Sequence, residues 1–206
     1  MSFLASPIRS TILVTGGGSG IGLALAKRLS NRGHEVIVVG RNQQKLDRAK
    51  EECPELTTFH GDVSTDYGRL AIRDRINSDF PNLNVLINNA GENITVPPLW
   101  KSTEDDWAVH KKVLATNLDA PMHLSMLCLP NLMKQPHALI MNVSAIVAFA
   151  PLATAPSYSA AKGKLIVLLN FIQSDFLVLY VGLDSGSPFF FIEFAASIEA
   201  IKRWGC

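Results

Sequence analysis

The strongest constraint on this chain is an alternation, over its first 143 residues, of short apolar runs with helix-patterned segments. Thr11 to Thr15 is β-branched and ends at glycines; Gly20 to Asn31 then carries Ile21, Leu25 and Leu29 at the four-residue spacing of a helical stripe. Val36 to Val39 predicts a second strand, Gln43 to Glu52 a polar helix, and Leu56 to His60 a third strand. A helix over Tyr67 to Asp79 and a buried strand over Val85 to Ile87 follow. Ser102-x-x-Asp105 resembles a capping box, so a long helix is expected from Ser102 past Asn117 until Pro121 bends or breaks it. Leu139 to Val143 is the next strand. Strands that alternate with helices in this way predict an α/β fold, a Rossmann-type doubly wound parallel sheet built from βαβ crossovers. With no long internal repeat and no linker, residues 1–206 are read as a single domain.

Composition narrows the function. A chain 48% hydrophobic and 18% charged fits a packed protein, and a net charge of +1 without basic stretches excludes a nucleic-acid surface. Cys53, Cys128 and Cys206 are scattered and form neither a disulfide framework nor a metal cluster, which fits a reducing, cytoplasmic setting. Met1 to Thr11 holds no long apolar run and predicts no secretory signal. The sequons at Asn93 and Asn142 then read as chance matches. His110, His123 and His137 have no metal-ligand spacing and read as surface or helix-face histidines, so no metal is expected. Trp100 and Trp107 are read first as core packing and second as pocket lining.

The loop Thr15-Gly16-Gly17-Gly18-Ser19-Gly20-Ile21-Gly22 joins the first strand to the first helix. Glycines there permit a tight turn, and the amides and dipole at a helix start favour a pyrophosphate. Gly16, Gly18, Ser19, Gly20, Ile21 and Gly22 are therefore cofactor-binding candidates, against the plainer reading of a turn without a ligand. An NAD site usually ends its second strand with an acid. Here the strand ends Val38-Val39-Gly40-Arg41-Asn42, so Arg41 is expected to pair with the 2′-phosphate of NADP(H) rather than to be a solvated surface arginine.

From about Ser10 to Leu165 the chain resembles the short-chain dehydrogenase/reductase family. Gly16, Gly20 and Gly22 match its T-G-x-x-x-G-x-G loop, and Asp62-Val63 its aspartate-valine turn, which the resemblance assigns to the adenine. Asn88-Asn89-Ala90-Gly91 matches the N-N-A-G element, which places Asn89, Ala90 and Gly91 beside the cofactor. Asn117 matches the helix asparagine of a proton relay; Ser144 follows the fifth strand, and Tyr158-Ser159-Ala160-Ala161-Lys162 matches Y-x-x-x-K. The resemblance implies an NADP-dependent oxidoreductase acting on a small carbonyl or alcohol. In it Ser144, Tyr158, Lys162 and Asn117 are catalytic, and Tyr158 and Lys162 also touch the cofactor. It further implies a homodimer through the helices around residues 106–133 and 158–175.

The chemistry suits those residues. Hydride transfer to a carbonyl leaves negative charge on oxygen, which must be stabilised and protonated. A tyrosine phenol has an ordinary pKa near ~10 and needs a nearby positive charge to approach neutrality. Lys162 lies one helical turn from Tyr158 and is expected to supply it. The apolar stretch Ala145 to Pro156 fits a loop bordering substrate.

After Lys162 the likeness fades. Residues 166–206 form a divergent tail, rich in Leu, Phe and Val, with no Pro-Gly element, so the C-terminal strands and substrate lid are expected to be incomplete. Leu177 to Val181 is the candidate sixth strand, leading into Gly182-Leu183-Asp184-Ser185-Gly186. Leu165 to Val181 approaches membrane-span length, but Asn170, Gln173 and Asp175 argue against a span, and no membrane association is expected. The abrupt change suggests an altered reading frame, a retained intron or a divergent tail. Two readings follow: an active reductase, or a catalytically impaired nucleotide-binding or subunit-interaction protein.

Overall fold

The computed structural model describes residues 9–170, 177–184 and 187–194. The described residues fall into two compact units, one drawn from 9–90 and 124–139, the other from 91–123 and the described residues after 139.

The first unit begins with β1 (Thr11–Thr15), α1 (Gly20–Ser30), β2 (Glu35–Gly40), α2 (Gln43–Glu52), β3 (Thr57–His60), α3 (Asp66–Asp79) and β4 (Val85–Asn88). The strand order is β3-β2-β1-β4, with every pair parallel. Ile12, Leu13, Val14, Val36 to Val39 and Val85 to Ile87 are almost wholly buried on both faces, as parallel strands covered by helices must be. The chain steps from β1 outward to β3 and then returns to the far side of β1 as β4. That reversal opens a crevice at the carboxyl ends of β1 and β4, where such folds bind ligands. This is the expected α/β, Rossmann-type, doubly wound arrangement.

α1 corrects one expectation. Its buried residues are Gly22, Ala26 and Leu29, while Ile21 is 42% exposed. Of the expected stripe, Leu29 is buried, Leu25 half-buried and Ile21 exposed, and the small residues Gly22 and Ala26 share the buried face with Leu29.

The second unit holds α4 (Asp106–Leu114), β5 (Leu139–Val143) and α6 (Pro156–Asn170), with the run into α5 (Ala120–Leu132) crossing the boundary between units. Helix α4 starts later than expected. Ser102 Oγ donates to the carbonyls of Pro97 and Pro98, and it is the Thr103 amide that donates to Asp106 Oδ2, at 2.8 Å. The Thr103 hydroxyl also donates to Asp106 Oδ2, so the contact runs one way only, and the N-cap residue of α4, Asp105, makes no side-chain cap bond: the expected capping box does not form. Pro121 does not break the helical run; a π-turn over Ala115–Asp119 precedes it, the kind of register change that absorbs a missing amide.

The expected sixth strand extends over β6 (Leu177–Asp184) and pairs antiparallel with β7 (Ser187–Phe194). Only two residues separate these strands, too few for the crossover that parallel pairing needs. Ser185 and Gly186, the stretch 171–176 with Gln173 and Asp175, and Cys206 lie outside the described residues. No helix among the described residues is long and apolar enough to cross a membrane.

Candidate active site

The first cluster lies where β1 meets α1. Gly16 has φ +67°, and a Cβ there would stand 2.9 Å from the Ala90 Cα, so both conformation and space require glycine. Its amide and that of Gly17 donate to the Val39 carbonyl, which folds the loop across the end of β2. Beyond that point the loop opens. Ser19 is the N-cap of α1 but makes no side-chain cap bond, and no acidic residue occupies the first turn. Gly20, at φ +56°, has nothing within 4 Å of where its Cβ would be. An uncapped helix start with open space before it suits an anion, because its amides and dipole carry partial positive charge. On this observation the loop fits the pyrophosphate of a dinucleotide.

The far wall is braced from β4. Thr15 Oγ1 accepts from the amides of Asn89 and Ala90 at 3.1 and 3.0 Å, and Asn89 Nδ2 donates to the carbonyls of Thr15 and Gly16. Thr15 was missed as a site residue in the sequence. Its signal is a hydroxyl residue at a buried strand end, immediately before the glycines.

Arg41 is exposed at the end of β2, and His60 Nε2 lies 3.1 Å from its carbonyl. Asp62 Oδ1 accepts from the Ser64 amide and hydroxyl at 2.9 and 2.7 Å, shaping the turn into α3. Val63 is buried beside it, and its carbonyl accepts from Arg69. Gly91, in the second unit, is exposed.

The second cluster joins β5 to α6. Lys162, one turn after Tyr158, is only 4% exposed; its Nζ donates to the Val143 carbonyl at 2.8 Å and lies 5.5 Å from the Tyr158 ring centroid. Ser144 Oγ donates back to the Lys162 carbonyl at 3.2 Å. Strand end and helix are thus stitched twice, which brings Ser144, Tyr158 and Lys162 together. Burial lowers the Lys162 pKa to about 8. Burial also raises that of Tyr158, which corrects the expectation that Lys162 depresses it. The ammonium lies over the ring and is hydrogen-bonded to a carbonyl, so desolvation dominates the phenol.

Asn117 is buried within the π-turn. Its Nδ2 donates to the carbonyls of Glu92 and Val113 at 2.7 and 2.9 Å, and its Oδ1 accepts from the Glu92 amide at 3.4 Å. Lys112 pairs with Glu92 at 3.1 Å. The asparagine thus fixes the segment that follows the N-N-A-G element.

A family model for short chain dehydrogenases matches residues 10–178. The chain belongs to the short-chain dehydrogenase family. DltE, an oxidoreductase of Bacillus subtilis, is 43% identical over 156 residues, which are 76% of this chain and 61% of the relative. The NADP-dependent 3-hydroxy acid dehydrogenase YdfG of Escherichia coli K12 is 30% identical over 155 residues, 73% of this chain and 60% of that protein. This chain therefore spans about 60% of the length of both relatives. A metagenomic short-chain oxidoreductase in complex with NADP superposes with a TM-score of 0.79 at 26% identity, covering 87% of this chain and 85% of that one. A short-chain dehydrogenase from Burkholderia phymatum in complex with NAD shares the fold, with a TM-score of 0.74 at 23% identity over 84% and 64% of the two chains.

Short-chain dehydrogenases are oxidoreductases that bind nicotinamide cofactors, and in this member of the family several side chains stand differently from expectation. Trp100 and Trp107 are 75% and 53% exposed, not core residues; they sit on a 3-10 turn and on the first turn of α4. His110, expected at a surface or on a helix face, lies on α4 and is 4% exposed. Asn142, in the second sequon, is buried within β5. Cys53 and Cys128 are free and buried, and burial pushes the Cys128 thiol up to about 12, which makes it unreactive.

Proposed function

We propose that this chain catalyses hydride transfer between NADP(H) and a small carbonyl or alcohol, with Tyr158 as general acid and base. The observation that carries the reading is the stitched cluster of Ser144, Tyr158 and Lys162 on β5 and α6. When bound, the nicotinamide supplies or accepts the hydride. The chain does the rest. Gly16, Gly18, Ser19, Gly20, Ile21 and Gly22 hold the pyrophosphate at the start of α1, while Asn89, Ala90 and Gly91 border the cofactor. Asp62 and Val63 shape the adenine side, and Arg41 takes the place of the usual acid and favours the 2′-phosphate. The name of the Escherichia coli relative and the NADP complex of the metagenomic neighbour support that choice.

Ser144 turns its hydroxyl from the Lys162 carbonyl to the substrate oxygen, and Tyr158 gives that oxygen its proton during reduction. Lys162 holds the cofactor ribose and, near neutral pH, keeps its own proton; Asn117 steadies the relay to solvent. Residues 1–206 are read as a single cofactor-binding domain, cytoplasmic and paired with a second copy through the helices around residues 106–133 and 158–175.

The test is turnover of a carbonyl panel with NADPH. Tyr158→Phe should lower kcat by roughly 100- to 10,000-fold while NADPH binding persists. Turnover indifferent to that change sinks the mechanism. Tight NADPH binding with no turnover on any carbonyl points to the impaired nucleotide-binding protein instead.

A further inference from the structure

We propose that His110 is a positioning residue for Tyr158, acting through Ser157; this rests on the reading of Tyr158 as the acid and base. His110 lies on α4 and is 4% exposed, and its Nδ1 shares a hydrogen bond with Ser157 Oγ. Ser157 immediately precedes Tyr158 in the first turn of α6. The other ring nitrogen, Nε2, is buried with no hydrogen-bond partner. Trp107 packs beside the imidazole, ring centroids 6.2 Å apart and tilted by 45°.

The unbonded nitrogen is the informative part. A buried polar atom without a partner is unfavourable, and a leucine or phenylalanine would fill the space without that cost. What the histidine supplies and an apolar side chain does not is the bond from Nδ1 to Ser157.

That bond acts at a sensitive place. The start of a helix is its least constrained turn. Ser159 fastens α6 to the preceding loop: its amide and hydroxyl donate to the Ala155 carbonyl, each at 2.9 Å, and its Oγ accepts from the Leu152 amide at 3.1 Å. His110 provides a tie in a second direction, from α4. Two ties in different directions fix the rotation of the turn, and hence where the Tyr158 hydroxyl stands.

The chain has three tyrosines, so Tyr158 can be followed by NMR in protein labelled at the tyrosine Cζ, with Tyr158→Phe assigning its signal. His110→Leu and Ser157→Ala should each move or broaden that signal, and the double variant should do no more than either alone. His110→Asn, whose amide stands near the position of Nδ1, should restore it. In His110→Leu and Ser157→Ala kcat should fall by between about 10- and 100-fold, with KM for NADPH unchanged, and His110→Asn should recover it.

An unmoved Tyr158 signal in His110→Leu and Ser157→Ala overturns the proposal, as does an additive double variant. If Tyr158→Phe leaves turnover intact, the acid–base reading fails. The NMR signal still decides whether His110 places Tyr158: a shift reversed by His110→Asn supports it, and no shift rejects it.

Discussion

Lys162 places an ammonium where water scarcely reaches, and its surroundings offer one carbonyl and one aromatic face in place of hydration. Its folded pKa of about 8 lies below the ordinary 10.5, so the folded state binds this proton more weakly than the unfolded chain does. Below about 8 both states are protonated, and the buried charge costs about 3 kcal/mol. As pH rises from 8 toward 10.5 the folded lysine is neutral while the unfolded one is still charged, and stability increases. Tyr158 acts in the opposite sense, but only above its ordinary pKa of 10.0, because its folded value is raised. Between about pH 7 and 9.5, urea unfolding of the wild type should therefore gain about 2 kcal/mol relative to Lys162→Met. Equal pH slopes in the two proteins would show that the ammonium is better solvated than its burial implies. The identity of this cluster was legible in the spacing of Tyr158 and Lys162. The direction of the phenol shift was not, because it is set by the burial of Tyr158, which follows from tertiary packing and not from the spacing of the two residues.

At the scale of elements, the sequence located the strands well, because parallel strands covered on both faces read as unbroken apolar runs: β1 occupies the expected residues, and β2 differs by one residue at each end. Helix faces and starts were less legible. Small residues such as Gly22 and Ala26 carry little hydrophobic signal, yet they form the buried face of α1. The start of α4 was placed early because Ser102-x-x-Asp105 resembled a capping box, whereas Ser102 Oγ bonds back to Pro97 and Pro98 and the helix begins after Asp105 without a side-chain cap. Gly68 shows the same blindness to close approach. In the first turn of α3 its amide donates to Thr65 Oγ1, and a Cβ would stand 2.0 Å from the Asp62 carbonyl oxygen. Alanine is intrinsically the better helix former by about 1 kcal/mol. A clash of backbone with Cβ outweighs that preference, so Gly68→Ala should lower stability by about 1–3 kcal/mol. Gly163, within α6, is the control: a Cβ there meets the Ala148 oxygen at an ordinary 3.6 Å. Gly163→Ala should raise stability by up to about 1 kcal/mol. Denaturant midpoints that move in the same direction for both substitutions would contradict this account.

For the whole molecule, nucleotide binding and folding are linked, because a ligand that binds the folded chain alone stabilises it by mass action. The loop residues that would meet the pyrophosphate are set by backbone bonds from Gly16 and Gly17 to Val39 and by the Thr15–Asn89 ties. The cradle therefore forms only when β1, β2 and β4 are assembled, and the unfolded chain has no equivalent. NADPH at about 100 times its dissociation constant should add about 2.7 kcal/mol, a rise in Tm of roughly 5–10 °C for a chain of this size. The size of the effect should depend on Arg41, which stands exposed where an NAD site would carry an acid. If Arg41 meets the 2′-phosphate as proposed, Arg41→Glu would place negative charge beside it and should abolish most of the shift with NADPH. The same variant should keep or enlarge the shift with NADH, whose ribose hydroxyl can donate to the new carboxylate. Thermal scans of both proteins with each cofactor read the comparison directly. Should wild type and Arg41→Glu respond alike to NADPH, the guanidinium does not meet the phosphate, and the preference for NADP(H) loses its structural basis.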